Sequence, residues 1–379
     1  MNLDRLFAKM ESHVVSGEVP GIVALVSHGD SVHQMAFGNV ELDTIFRIAS
    51  ITKPVTAAAG MILVDDGKIG LDDSVEPWLP ELANRQVLRD IGSELNDTVH
   101  ANRPITFRDL QTFTFGFGSV MAMPGTYPIQ KPIAEGNLGG DGPPRLSRAP
   151  GQDEFMRRLG ALPLMHQPGE RWLYNTGSDV LGILISRVSG MSLQDFMRER
   201  LFQPLGMADT GFSVPESKHH RLPALLWPNE GGLQVFDAAG SSSEIATPPA
   251  FQSGSGGLVS TASDYLSFCR MLLRKGQGVL SESSISMMMS DRLVPSQRIG
   301  GEIFFGDHSS WGFGGAICIG GEEPWQVPGR YGWDGGFGTS AYSDPSNDLC
   351  GVLMTQRMMT SPEPPKVFTD FWRCVYEGL

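Results

Sequence analysis

Apolar residues alternating with polar ones, the pattern of strands in a sheet, occur at the two ends of this 379-residue chain and hardly at all in its middle. Near the start, residues 21–30 form a short apolar run closed by Gly29-Asp30, and residues 31–38 form a second. Two such runs around a turn signal predict a β-hairpin. Near the end, short alternating runs recur at residues 311–320, 326–331, 339–343 and 349–355. Between the two sets the spacing is helical, as at residues 107–112, 154–159, 178–187 and 193–201. Strands at both termini point to an α/β (α+β) fold: one antiparallel sheet built from N- and C-terminal strands, flanked by helices, with a helical domain inserted. The expected division is 1–67 with 212–379 for the sheet domain and 68–211 for the helical one. Within the latter, residues 121–151 are dense in Gly and Pro and predict a surface loop walling the site. Residues 212–256 read as irregular. Helical spacing over 3–14, 262–273 and 367–376 predicts flanking helices.

Composition narrows the function. Apolar residues make up 41% and charged residues 19%, enough for a sizeable core. A formal net charge of −13 argues against nucleic acid, which needs a basic footprint. The four cysteines, Cys269, Cys318, Cys350 and Cys374, make no C-x-x-C pair, so structural thiols are expected rather than a zinc or redox motif. No H-E-x-x-H is present and the eight histidines form no metal-like pattern. The first residues mix charge with apolar side chains and lack the continuous apolar core of a signal peptide. The longest apolar stretch, around residues 56–64, is too short to span a bilayer. A cytoplasmic enzyme without metal or cofactor is the expectation; oligomeric state is left open.

The chemistry centres on Ser50 and Lys53. Residues 50–66 read as an alanine-rich helix stopped by Gly67, so a serine and a lysine three apart share a face at its start. Pro54 is tolerated there because first-turn amides lack intrahelical acceptors. Serine is a weak nucleophile and needs a base. A lysine holds its proton to about pH 10.4 in water, but burial lowers that value by up to a few units. Spacing alone equally fits a helix-capping serine followed by a solvated lysine on the helix surface, one that adds little to packing. The chain has no G-x-S-x-G, which disfavours an α/β-hydrolase.

The surrounding sequence decides between these readings. FRIASITKPVTAAAGMILVDDGKIGLDD closely resembles the active-site segment of the class C β-lactamase superfamily, which includes DD-peptidases and family VIII carboxylesterases. ITFRDLQTFTFGFG, PGERWLYNTGSDVLGILI, LFQPLGMADTGF, GSGGLVSTASDYLSF and YGWDGGFGT match the superfamily in order, over nearly the whole chain. The resemblance implies a β-lactamase/penicillin-binding-protein-like fold and a serine hydrolase acting through an acyl-enzyme. Ser50 would be the nucleophile, Lys53 its proton acceptor, and Tyr174 a phenol relaying protons, given nearby cations to lower its pKa. The backbone N–H groups of Ser50 and Gly336 would form the oxyanion hole.

Two departures bear on substrate. The third position of the tyrosine motif is Thr176 instead of asparagine, with Asn175 one place early; either could meet substrate. The third motif, Lys-Thr-Gly in β-lactamases, reads Trp333-Asp334-Gly335, as in family VIII carboxylesterases. Trp333 removes the cation that would bind a β-lactam carboxylate, unless Arg171, Arg330 or another arginine restores it. The glycines around Gly335 would allow close approach of substrate, or serve only a strand bend. The expected activity is a carboxylesterase for short-chain esters with weak β-lactam hydrolysis as a side activity. The alternatives are a β-lactamase or DD-peptidase/amidase, an acyltransferase using the same acyl-enzyme, and a non-catalytic binding module. The expected partner is a small-molecule ester or amide, with no nucleic acid and no membrane span.

Overall fold

A computed structural model describes residues 3–139, 145 and 149–379. Its largest sheet has seven strands, all antiparallel: β1 (Gly21–His28), β2 (Ser31–Gly38), β3 (Ser309–Trp311), β4 (Ala316–Cys318), β5 (Tyr331–Gly335), β6 (Thr339–Asp344) and β7 (Leu349–Thr355). Their spatial order is β2-β1-β7-β6-β5-β4-β3. The two termini meet at the β1–β7 ladder, where Ile22 lies opposite Thr355 and His28 opposite Leu349. The N-terminal hairpin therefore completes a sheet begun by the C-terminal strands.

Side chains alternate faces along a strand, and both faces of β1 are covered. Ile22, Ala24 and Val26 pack against α1 (Asp4–Val15) and the C-terminal helix, through Leu6, Met10, Phe371 and Trp372. Val23 and Leu25 join the larger core on the other face. That core is centred on α2 (Thr52–Asp65), which is buried on every side from Thr52 to Leu63. A helix apolar all round belongs in an interior. α3 (Thr176–Ser189) packs against α2, α4 (Ala262–Leu273) lies on β1, β6 and β7 in the same core, and the C-terminal helix, α5 (Lys366–Glu377), closes the far face.

The sheet is less regular than the sequence predicts. The run at 326–331 is a strand only from Tyr331 onward, because Pro324 and Pro328 lack amide donors and Gly329 (φ 88°) turns the chain. Residues 311–320 split into β3 and β4 around a reversal at Gly314 (φ 68°), whose missing Cβ leaves room for Ala57 and the Lys53 carbonyl. Residues 212–256 are not wholly irregular: Leu225–Asn229 and Gly232–Asp237 pair as a hairpin. A small ladder, Gln86–Leu88 with Thr98–His100, also interrupts the mainly helical middle. The segment 121–151 contains a short helix, Gln130–Glu135, and its residues 140–144 and 146–148 lie outside the described residues. Among the described residues, no helix is long and apolar enough to cross a membrane.

Candidate active site

The turn before α2 places Ser50. Ala49–Ile51 is a 3-10 turn running into the helix at Thr52, so the helix proper begins two residues later than the sequence suggests. Ala49 has φ 48°, a conformation that costs an L-residue energy and that clusters at functional sites. The turn is held by tertiary contacts. Ile48 N–H donates to the Leu258 carbonyl, and its own carbonyl accepts from Thr339 Oγ1 at 2.8 Å. Arg47 is buried behind it, bonded to Asp237 at 2.6 Å and to Ser243 and the Pro223 and Ala238 carbonyls.

Lys53 is fully buried, not a surface lysine as helical position alone suggests. Its Nζ lies 2.9 Å from Ser50 Oγ and donates to the Ser255 carbonyl at 2.6 Å. Desolvation lowers its pKa to about 7, opposed by the Asp179 carboxylate. The neutral amine still has N–H bonds for Ser255 and a lone pair for the Ser50 proton. Asp179, on α3, accepts from Ser253 Oγ at 2.7 Å, Ser255 N at 3.0 Å and Ser255 Oγ at 2.9 Å. Burial raises its own pKa while those bonds and Lys53 oppose the rise. Sequence reasoning missed Asp179 and Ser255. The one available signal was an aspartate inside the apolar run SDVLGILI, on a helix face expected to be buried.

Tyr174 enters from the turn before α3. Asn175, the residue capping that helix, sits at φ 80° and ψ −65°, a strained γ-turn in which the Thr176 amide donates back to the Tyr174 carbonyl at 3.2 Å. The tyrosine ring is 4.5 Å from Lys53 Nζ and packs among Phe113, Trp172, Phe304 and Trp333. Burial raises its pKa to about 12, with bonds to Ser50 and Trp333 acting against the rise. The condition set for an acidified phenol, nearby cations strong enough to lower its pKa, is not met here, because burial outweighs every opposing contact. Trp333 supplies what replaces the cation: its Nε1 donates to Tyr174 Oη at 2.8 Å. Trp333 also stacks edge-on against Trp311, 4.9 Å between centroids.

These groups open on a cavity of about 1290 Å³ lined by Ser50, Tyr174, Thr176, Trp333 and Gly336. The segment 121–139 forms part of its rim through Met121, Met123, Ile133 and Leu138. Thr176 is on the wall, whereas Asn175 and Gly335 are not. Gly335 instead has a packing reason to be glycine: a Cβ there would be 2.5 Å from the Ile48 carbonyl and 2.2 Å from Thr339 Oγ1. The Ser50 and Gly336 amides have no acceptor among the described residues, and both residues face the cavity. Because β4 pairs with β5 only at Tyr331 and Gly332, the edge from Trp333 to Gly335 is left free beside the cavity. The described residues contain no His, Cys, Asp and Glu cluster arranged to hold a metal ion.

Comparison with known proteins places this geometry. The model of the family described as Beta-lactamase matches residues 3–369. Protein Rv1367c of Mycobacterium tuberculosis is 35% identical, covering 94% of this chain and 90% of its own. Esterase EstB of Burkholderia gladioli is 30% identical over 93% of this chain and 89% of its own. Among solved structures, EstCE1, described as a hydrolase with promiscuous acyltransferase activity, superposes with a TM-score of 0.80 at 22% identity, covering 98% of this chain and 97% of its own.

Proposed function

This chain belongs to the Beta-lactamase family, and from that premise we propose that it is a serine hydrolase working through an acyl-enzyme on Ser50, a carboxylesterase for short-chain esters. Lys53 accepts the Ser50 proton as the hydroxyl attacks the ester carbonyl. The oxyanion is held by the Ser50 and Gly336 amides, which have no other acceptor to leave. Tyr174, neutral and next to Ser50, carries the proton to the departing alkoxide, which leaves as the alcohol. Water then attacks the acyl-enzyme by the reverse proton path and frees Ser50. The Met-lined rim and Trp333 receive the acyl chain.

The observation that carries the ester assignment is the Trp333–Tyr174 bond. It gives the tyrosine oxygen a neutral donor and puts an indole where a β-lactam carboxylate would seek a cation. A charge-assisted hydrogen bond is worth roughly 1.5–3 kcal/mol, or about one to two decades in rate at about 1.4 kcal/mol per decade. A neutral ester never used that bond. EstB, an esterase by name, supports the same class. We also place the protein in the cytoplasm, because its four cysteines are all buried and unpaired, as a reducing compartment favours.

The test is a panel of p-nitrophenyl esters beside a chromogenic cephalosporin. Short esters should exceed the cephalosporin in kcat/KM by at least about 100-fold. A fluorophosphonate should label Ser50 alone and fail on Ser50→Ala. Label on another serine sinks the mechanism, and efficient β-lactam turnover with little esterase activity sinks the substrate class.

A further inference from the structure

The cavity does not end at the reacting groups. It passes the free edge of β5 to the opposite face of the sheet, where Cys318, Arg330, Asp334, Tyr342, Phe368 and Trp372 line it. Alternation along β5 explains the change of face: Trp333 points to Tyr174, so Asp334 points the other way, with its ladder partner Ser340. Arg330 precedes the strand and is 6% exposed. Its guanidinium lies 3.7 Å over the Tyr342 ring and 4.2 Å over the Trp372 ring. Its Nε and Nη2 are buried without a hydrogen-bond partner, and among the described residues no carboxylate forms an ion pair with it.

Apart from the Tyr376 hydroxyl, nothing among the described residues satisfies this guanidinium, and two buried nitrogens left unpartnered on a charged group are rare because they are costly. Two carboxylates share the region, and both are bonded elsewhere. Asp334 accepts from Ser340 Oγ at 2.5 Å and Tyr342 Oη at 3.3 Å. Asp344 accepts from Tyr376 Oη, Asn347 Nδ2 and the Ser346 amide. Asp334 feels the charge of Arg330, but neither carboxylate occupies its donors. The two rings stand edge to face at 89° and box the guanidinium in on two sides, which fixes its orientation for hydrogen bonds to a carboxylate.

We propose that Arg330 anchors a second subsite that binds a carboxylate at the remote end of an ester substrate. The proposal rests on the esterase reading for its substrate. Tyr342 lies opposite Gly332 in the ladder, so stacking on its ring carries the guanidinium toward Gly332. Gly332 is four residues from Gly336, about 13 Å at about 3.3 Å per residue. The carboxylate must therefore stand well away from the scissile carbonyl, as in the monoester of a medium-chain dicarboxylic acid. A β-lactam carboxylate, only a few bonds from its reacting carbonyl, cannot span that distance, so the subsite leaves the ester preference intact.

The experiment uses p-nitrophenyl monoesters of straight-chain dicarboxylic acids from butanedioic to dodecanedioic, each beside a twin whose free acid is capped as a methyl ester. In the wild type, kcat/KM for the acid should exceed that for its capped twin by on the order of tenfold at an intermediate length. In Arg330→Met the ratio should fall to about one or below, with partial recovery in Arg330→Lys. Absence of any length preferring the acid, or a preference that survives in Arg330→Met, overturns the subsite. Calorimetric binding of free decanedioate to the wild-type protein needs neither a variant nor turnover. Binding supports the subsite even if every ester proves inert, which would fault the esterase reading alone; no binding overturns it.

Discussion

Asp179→Asn should make the enzyme work at lower pH. Lys53 accepts a proton only when neutral, so kcat/KM should rise with pH through about 7, where burial has moved its pKa. No descending limb should follow below about pH 10, since Tyr174 is held up at about 12. Asp179 is the group that stabilises the charged lysine against desolvation. The path from Nζ to the Ser255 carbonyl (2.6 Å) and from the Ser255 amide to Asp179 (3.0 Å) bounds their separation. It is at most about 9 Å, allowing for one residue's backbone. At an effective dielectric of about 20, unit charges at that distance interact by about 1.8 kcal/mol, or roughly 1.3 pKa units. Removing the charge while keeping an amide oxygen for Ser253 and Ser255 should therefore move the rising limb down by one unit or more. The assay is kcat/KM for a p-nitrophenyl ester between pH 5 and 9, in wild type and variant, with circular dichroism to confirm the fold. An unmoved midpoint would show that Asp179 carries no charge in the working enzyme, and an upward shift would reverse the argument.

Other perturbations separate chemistry from packing. Lys53→Met should lower kcat by at least about 100-fold, the usual scale for a lost general base. It should not lower the melting temperature, because it replaces a desolvated amine with an apolar chain of similar length; a collapse in stability would mark Lys53 as structural. Trp333→Phe removes the donor to Tyr174 Oη, a bond worth about 0.5–1.5 kcal/mol, so kcat for esters should drop by roughly two- to tenfold. Unchanged kcat would mean the indole N–H has no part in the reaction. Arg47→Ala leaves Asp237 buried without its partner and should cost about 3–5 kcal/mol in urea denaturation; a loss under 1 kcal/mol would show that water replaces the pair.

The sheet could be read from the chain because its evidence is local: alternation and turn residues mark each strand, and termini that both carry strands must pair. Ser50 and Lys53 could be read for the same reason, being three residues apart on one helix. What could not be read is created by distant contacts. Lys53 looks like a surface residue until Ser255, two hundred positions away, closes over it. The acidity of Tyr174 depends on the rings that surround it, and those come from four separate segments. The hairpin at Leu225–Asn229 and Gly232–Asp237 was hidden by Pro228, which breaks the alternation although it sits acceptably in a two-stranded ribbon. Arg330 appeared only as one of several arginines able to reach the cleft, and its burial against Tyr342 and Trp372 is a property of the far side of the sheet.

The aromatic packing around Tyr174 has an optical consequence. Trp172, Trp311 and Trp333 form a chain with ring centroids 5.3 Å and 4.9 Å apart, and the last of them is bonded to the tyrosine oxygen. Indole emission depends on the hydrogen bonding and polarity around the ring, and closely spaced indoles exchange excitation. Any change in proton position or solvent at Tyr174 is therefore written into the protein's own fluorescence. Filling and emptying of the acyl-enzyme can be followed in stopped flow without a chromogenic leaving group, which frees the search for natural substrates from p-nitrophenyl chemistry.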